Sequence, residues 1–123
     1  MKTILIVEDD LDMAIILKIA LAEKYLLKIV HELKSIKDAL TNFRPDILLI
    51  DNTIGQYNGA EVLKTIQIFD ERNNIPFILF SANPDLKNIA IQMKANAYLP
   101  KPFKLADLYA CVDKVFDDCP TFV

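Results

Sequence analysis

The sequence predicts an α/β domain built on a doubly wound parallel sheet, with five strands alternating with five helices. Two observations carry that prediction. Short runs of β-forming apolar residues recur without polar alternation, as strands do when a sheet is covered on both faces. Between them lie stretches whose apolar residues fall at helical spacing, and strands alternating with helices give a sheet wound on both sides. The chain has 123 residues, the size of one domain, and 53% of them are apolar, enough for a substantial core.

The strands are read at ILIV (4–7), LKIV (27–30), ILLI (47–50), FILF (77–80) and AYL (97–99). The first helix, about Leu11 to Lys24, is apolar nearly all round, which predicts burial on more than one side. Ser35 stands as N-cap before Ile36, Ala39, Leu40 and Phe43, at i, i+3, i+4 and i+7. Val62, Ile66 and Phe69 make the third stripe. Leu86, Ile89, Ala90 and Met93 make the fourth, with Asn83 and Pro84 as its cap and first residue. Leu105, Leu108, Val112 and Val115 make the last. The domain is expected over residues 1–119, with 120–123 a short tail and DDCPTFV frayed.

Composition narrows the function. Fourteen basic against 17 acidic residues leave a formal charge of -3, which argues against a general binder of nucleic-acid backbones. Cys111 and Cys119 have no CxxC spacing and read as free thiols in a reducing compartment. MKTILIVEDD is too short in its apolar run for a signal peptide, and Met13 to Ala22, broken by Lys18, is about half a membrane span. A cytoplasmic domain with no membrane insertion is expected.

The chemistry lies at strand ends. Ligands of open parallel α/β sheets bind in the crevice beyond the carboxyl ends of the strands. The first strand runs into Glu8 and Asp9, the third into Asp51, the fourth into Ser81 and the fifth into Lys101. Three carboxylates and one ammonium leave two negative charges, a set that calls for a hard divalent cation such as magnesium. With the cation present a phosphoryl group can approach Asp51, and a carboxylate is a competent phosphoryl acceptor. Simpler roles stand beside these: Asp9 or Asp10 as helix cap, Ser81 satisfying a loop amide, Lys101 solvated between two prolines, Tyr98 a half-buried aromatic on an edge strand. His31 reads as structural or exposed, and Cys111 as packing.

ILIVEDD, ILLID with Gly59 eight residues after the acid, FSA at 80–82 and AYLPKPF at 97–103 together resemble the receiver domain of two-component response regulators, over nearly the whole chain. The resemblance implies a flavodoxin-like topology and a signalling phosphoacceptor rather than an enzyme with a separate substrate. It implies phosphorylation of Asp51 by a histidine kinase or a histidine phosphotransfer protein. It places Mg2+ (or Mn2+) on Asp9 and Asp51, on Glu8 through water, and on the main-chain carbonyl of Thr53. Lys101 and Ser81 would contact the phosphate, Ser81 and Tyr98 would form the switch, and Thr53 and Asn83 would flank the attacking water. Because neither is acidic, moderately slow self-dephosphorylation is expected. The Lys101–Pro102 peptide would be cis.

Two residues depart from the family pattern. Gly55 stands where Pro is frequent, which predicts a looser loop, and Lys94 stands where a Gly usually ends the fourth helix, which predicts strain if the backbone there is left-handed. The segment from Ser81 to Lys101 looks short for the family, so a trimmed fourth helix is expected. No DNA-binding segment follows residue 117 in this sequence. Output is therefore expected through a protein partner on the face of the fourth helix, fifth strand and fifth helix, through a relay to another histidine, or through a domain outside this chain. Kinase specificity is assigned to the first helix. A diverged receiver acting as a phosphorylation-independent docking module is the alternative. An Asp-nucleophile phosphohydrolase fits less well, because Thr53 stands where that chemistry wants a second acid.

Overall fold

The structure is a computed structural model that describes residues 1–70 and 74–118. Its elements run β1 (Thr3–Val7), α1 (Leu11–Leu21), β2 (Leu26–Val30), α2 (Ile36–Phe43), β3 (Ile47–Asp51), β4 (Thr53–Ile54), β5 (Tyr57–Asn58), α3 (Gly59–Phe69), β6 (Phe77–Ser81), α4 (Leu86–Met93), β7 (Ala97–Pro100) and α5 (Leu105–Asp118). The main sheet has order β2-β1-β3-β6-β7, and every pairing in it is parallel. The predicted doubly wound, flavodoxin-like sheet is what forms. The expected tail and Cys119 lie outside the described residues.

Pleating sends alternate strand residues to opposite faces. Leu5, Val7, Leu48, Ile50 and Leu79 pack with α2, α3 and α4 residues such as Leu40, Val62 and Ala90. Ile4, Ile6, Leu49, Ile78 and Phe80 pack with Leu17 and Leu21 of α1 and Leu108, Val112 and Val115 of α5. Both faces of β3 and β6 are therefore covered, and all their residues are buried. The edge strands β2 and β7 alternate exposed residues with buried or half-buried ones.

Several expectations are corrected. Helix α1 ends at Leu21, short of Lys24, because the chain turns through Tyr25, which stacks on Phe116 at 5.4 Å, and the Leu26 amide then pairs with the Lys2 carbonyl. Its apolar surface is not buried all round: Leu11, Ile15 and Ile19 are 64%, 56% and 74% exposed. Ser35 makes no capping bond, since the 3-10 turn Leu33–Ser35 leads directly into α2. Asn83 lies before the α4 cap position, which is Asp85, and accepts from the Asp85 amide in a turn instead. Phe69 closes the third stripe on the surface, with the Lys37 ammonium 5.5 Å from its ring. Asp10 caps α1, accepting from the Asp12 and Met13 amides.

Helix α4 is eight residues long and ends on Lys94 at φ 60°, so the backbone there is left-handed, the condition under which strain at Lys94 was expected. Gly59 opens α3 so close to the strand end that a β-carbon would lie 2.7 Å from the Asn52 side-chain oxygen, so any larger residue requires that side chain to shift. In the loop that carries Gly55, β4 and β5 form a small antiparallel hairpin joined by Gly55 and Gln56. Gly55 at φ 58° followed by a residue of ordinary φ is the II′ pattern of a two-residue turn.

Candidate functional site at the carboxyl edge of the sheet

Sheet order reverses between β1 and β3, which makes their carboxyl ends the switch point where this fold class binds ligands. The sequence places Glu8 and Asp9 just past β1 and Asp51 as the last residue of β3. Parallel register then brings one oxygen from each of the three carboxylates within 4.8 Å of the others. Glu8 and Asp51 are buried and Asp9 is exposed, so the cluster has a solvent-facing mouth.

Lys101 follows β7, whose alignment is continued by its amide donating to the Ser81 carbonyl at 2.8 Å. The side chain crosses over the Phe80 ring, 4.6 Å from its centroid. Its ammonium donates to Asp51 Oδ2 at 3.0 Å and to Glu8 Oε1 at 3.3 Å. Asp51 Oδ1 accepts the Thr53 amide at 3.1 Å. The Lys101–Pro102 peptide is cis.

These contacts distribute charge unevenly. Burial first, then the neighbouring Asp51 carboxylate, push the Glu8 carboxyl up to about 8 against the lowering pull of Lys101. Burial works to lower the Lys101 ammonium, but the Asp51 and Glu8 carboxylates outweigh it and hold it above the ordinary lysine range. Glu8 Oε2 is buried with no hydrogen-bond partner. A buried carboxyl oxygen without a partner is costly, and a cation held by the three acids would supply one. Oxygen-only donors suit magnesium or manganese, so the residues present fit such an ion.

The remaining predicted residues divide. Ser81 is buried at the end of β6 beside the cluster, where its hydroxyl accepts the Asn83 amide at 3.0 Å, the simpler role foreseen for it. Thr53 and Asn83 are exposed at the rim. Tyr98 stands away from the acids on β7, 40% exposed, lining a groove of about 310 Å³ with Ile91, Cys111 and Lys114. Three contacts at the site were not anticipated from the sequence. Phe80 supports Lys101 through its ring, His31 contacts the Glu8 carbonyl through Nδ1 at 2.9 Å, and the Gly55 amide donates to Asp9 Oδ2 at 2.7 Å. A larger concavity, about 710 Å³ between β2 and α2, contains none of the predicted site residues.

Fold and site together define an open α/β domain whose acidic, lysine-bearing pocket sits at the switch point. The chain belongs to the response regulator receiver domain family, whose model matches residues 4–113. It is similar to the DNA-binding response regulator MtrA of Mycolicibacterium paratuberculosis, with 28% identity over 114 residues, 90% of this chain and 49% of that protein. The chain thus spans about half the length of these curated relatives. Among solved structures it is similar to the N-terminal domain of the nisin resistance regulator NsrR (TM-score 0.79, 30% identity, 93% of this chain and 97% of that one). It also shares its fold with the receiver domain of a sensor histidine kinase of Pseudomonas aeruginosa, whose cleft holds a coordinated magnesium ion (TM-score 0.80, 24% identity, 94% and 98% covered). Receiver domains are signalling domains, and no described helix is long and apolar enough to cross a membrane.

Proposed function

We propose that this domain accepts a phosphoryl group on Asp51 from a phosphohistidine on a histidine kinase or a phosphotransfer protein, and signals through protein contacts. The observation that carries this reading is the setting of Asp51: a buried strand-end carboxylate with Lys101 on one oxygen and two further acids within 4.8 Å. Glu8, Asp9, Asp51 and the Thr53 carbonyl would hold magnesium or manganese, which supplies positive charge to the phosphoryl oxygens. A carboxylate oxygen of Asp51 forms the new bond to phosphorus as the bond from phosphorus to the donor imidazole nitrogen breaks, and that nitrogen keeps the electron pair. The Lys101 ammonium, held by Asp51, is placed to follow the charge onto the phosphoryl oxygens.

Ser81 reaches the phosphate once its hydroxyl leaves the Asn83 amide, and Tyr98 is the second half of the switch. The groove it lines between α4, β7 and α5 is the output face. The exposed apolar residues Leu11, Ile15 and Ile19 of α1, which begins directly after the acidic pair, suit a partner presenting a phosphohistidine on an apolar helical surface. This chemistry belongs to the cytoplasm.

Intact-protein mass after incubation with magnesium and acetyl phosphate tests the reading. One added phosphoryl group is expected, absent in Asp51→Asn and in the magnesium-free control. No gain under any condition would leave the phosphorylation-independent docking module. Self-dephosphorylation is expected to be moderately slow, and a rate unmoved by both Thr53→Ala and Asn83→Ala would remove those residues from its control.

A further inference from the structure

The turn of the hairpin that follows Asp51 points a main-chain donor at the acidic pair. The Gly55 amide donates to Asp9 Oδ2 at 2.7 Å, the shortest contact made by any of the three carboxylates. A hydrogen bond at that distance to an ionised acceptor is of the strong, charge-assisted kind. It exists because Gly55 adopts φ 58° at the first central position of a two-residue turn.

We infer that Gly55 is a positioning residue whose amide competes with the divalent cation for the Asp9 carboxylate, so that the β4–β5 hairpin is latched to the acidic pair without metal and loosened when metal binds. A cation on Asp9 draws off the negative charge that strengthens the hydrogen bond. By linkage the hydrogen bond lowers metal affinity by the same factor. Thr53, whose carbonyl is assigned to the metal, begins the strand that leads into this turn, so the latch and the metal act on one short segment. The inference rests on the proposed metal-binding role of Glu8, Asp9 and Asp51.

The chain has only two glycines, so protein labelled with 15N-glycine gives two amide signals, and Gly55→Ala identifies which is which. Gly59, whose amide is held by the Asn52 carbonyl at 2.9 Å, serves as internal reference. On titration with magnesium the Gly55 amide proton is expected to move to higher field, by more than Gly59 moves. A β-carbon on residue 55 meets nothing within 4 Å, so Gly55→Ala keeps its packing and disfavours only the left-handed turn. It is expected to bind magnesium roughly three- to fivefold more tightly by calorimetry. Magnesium binding with the Gly55 signal fixed or moving to lower field, or with no tighter binding by Gly55→Ala, overturns the latch and leaves the metal site standing. Absence of magnesium binding in both proteins overturns the metal site and the latch together.

Discussion

Glu8 is fully buried and its carboxyl is pushed up to about 8, so in the metal-free protein it holds its proton at neutral pH. The unfolded chain releases that proton near the ordinary value of 4.5. The protonated form in the folded protein therefore contributes stability that is fully present below about pH 4.5 and is lost as pH rises toward 8. Urea unfolding in chelator from pH 5 to 8 is expected to show stability falling with pH, with a slope of at most about 1.4 kcal/mol per unit from this residue. Glu8→Gln is expected to flatten that slope, and an unchanged slope in the variant would place its origin elsewhere. Glu8, Asp9, Asp51 and Lys101 were legible in the sequence because each ends or follows an apolar strand, and parallel strands deliver their ends to one edge. Phe80, His31 and Gly55 were not, because they act through a ring face, a ring nitrogen on a carbonyl and a main-chain amide, none of which leaves a pattern in residue spacing.

Elements were legible where periodicity is long and caps are ordinary. All five sheet strands appear within one residue or so of their apolar runs, whereas β4 and β5, with two residues each, are too short to show any period. Helix ends were harder, since tertiary pairing of Leu26 with β1 stops α1 earlier than its apolar run suggests. Lys94 illustrates a cap set by backbone need rather than residue preference: its amide reaches the Ala90 and Ile91 carbonyls from a left-handed conformation that favours glycine. Lys94→Gly is expected to stabilise the protein by about 1 kcal/mol, read as a higher urea midpoint with unchanged slope. In the opposite direction, Asn58 caps α3 by accepting the Glu61 amide at 2.9 Å. Asn58→Ala is expected to cost about 1 kcal/mol in the same measurement.

At the scale of the whole molecule, the doubly wound architecture followed from strands without polar alternation, and the apolar cover of both sheet faces bears that reading out. Helix α1 shows the limit of composition, since an apolar residue reads the same whether it faces the sheet or solvent. Leu17 is buried against the sheet and Ile19 is on the open side. Leu17→Ala is expected to cost about 3 kcal/mol on unfolding. Ile19→Ser is expected to stay within about 0.5 kcal/mol and to leave acetyl phosphate labelling unchanged. A large loss for Ile19→Ser would show that this face is not open in solution.

Lys101 is 50 residues from Asp51 and 93 from Glu8 along the chain, yet it touches both. Contacts of such high sequence separation are expected to form late in folding, because the entropy of closing the loop is lost before the contact can repay it. The pocket is thereby a test of completed folding: a nascent or partly unfolded chain possesses every one of its side chains but not their meeting point. The chemistry proposed for that meeting point would thus be withheld from immature molecules without any separate safeguard.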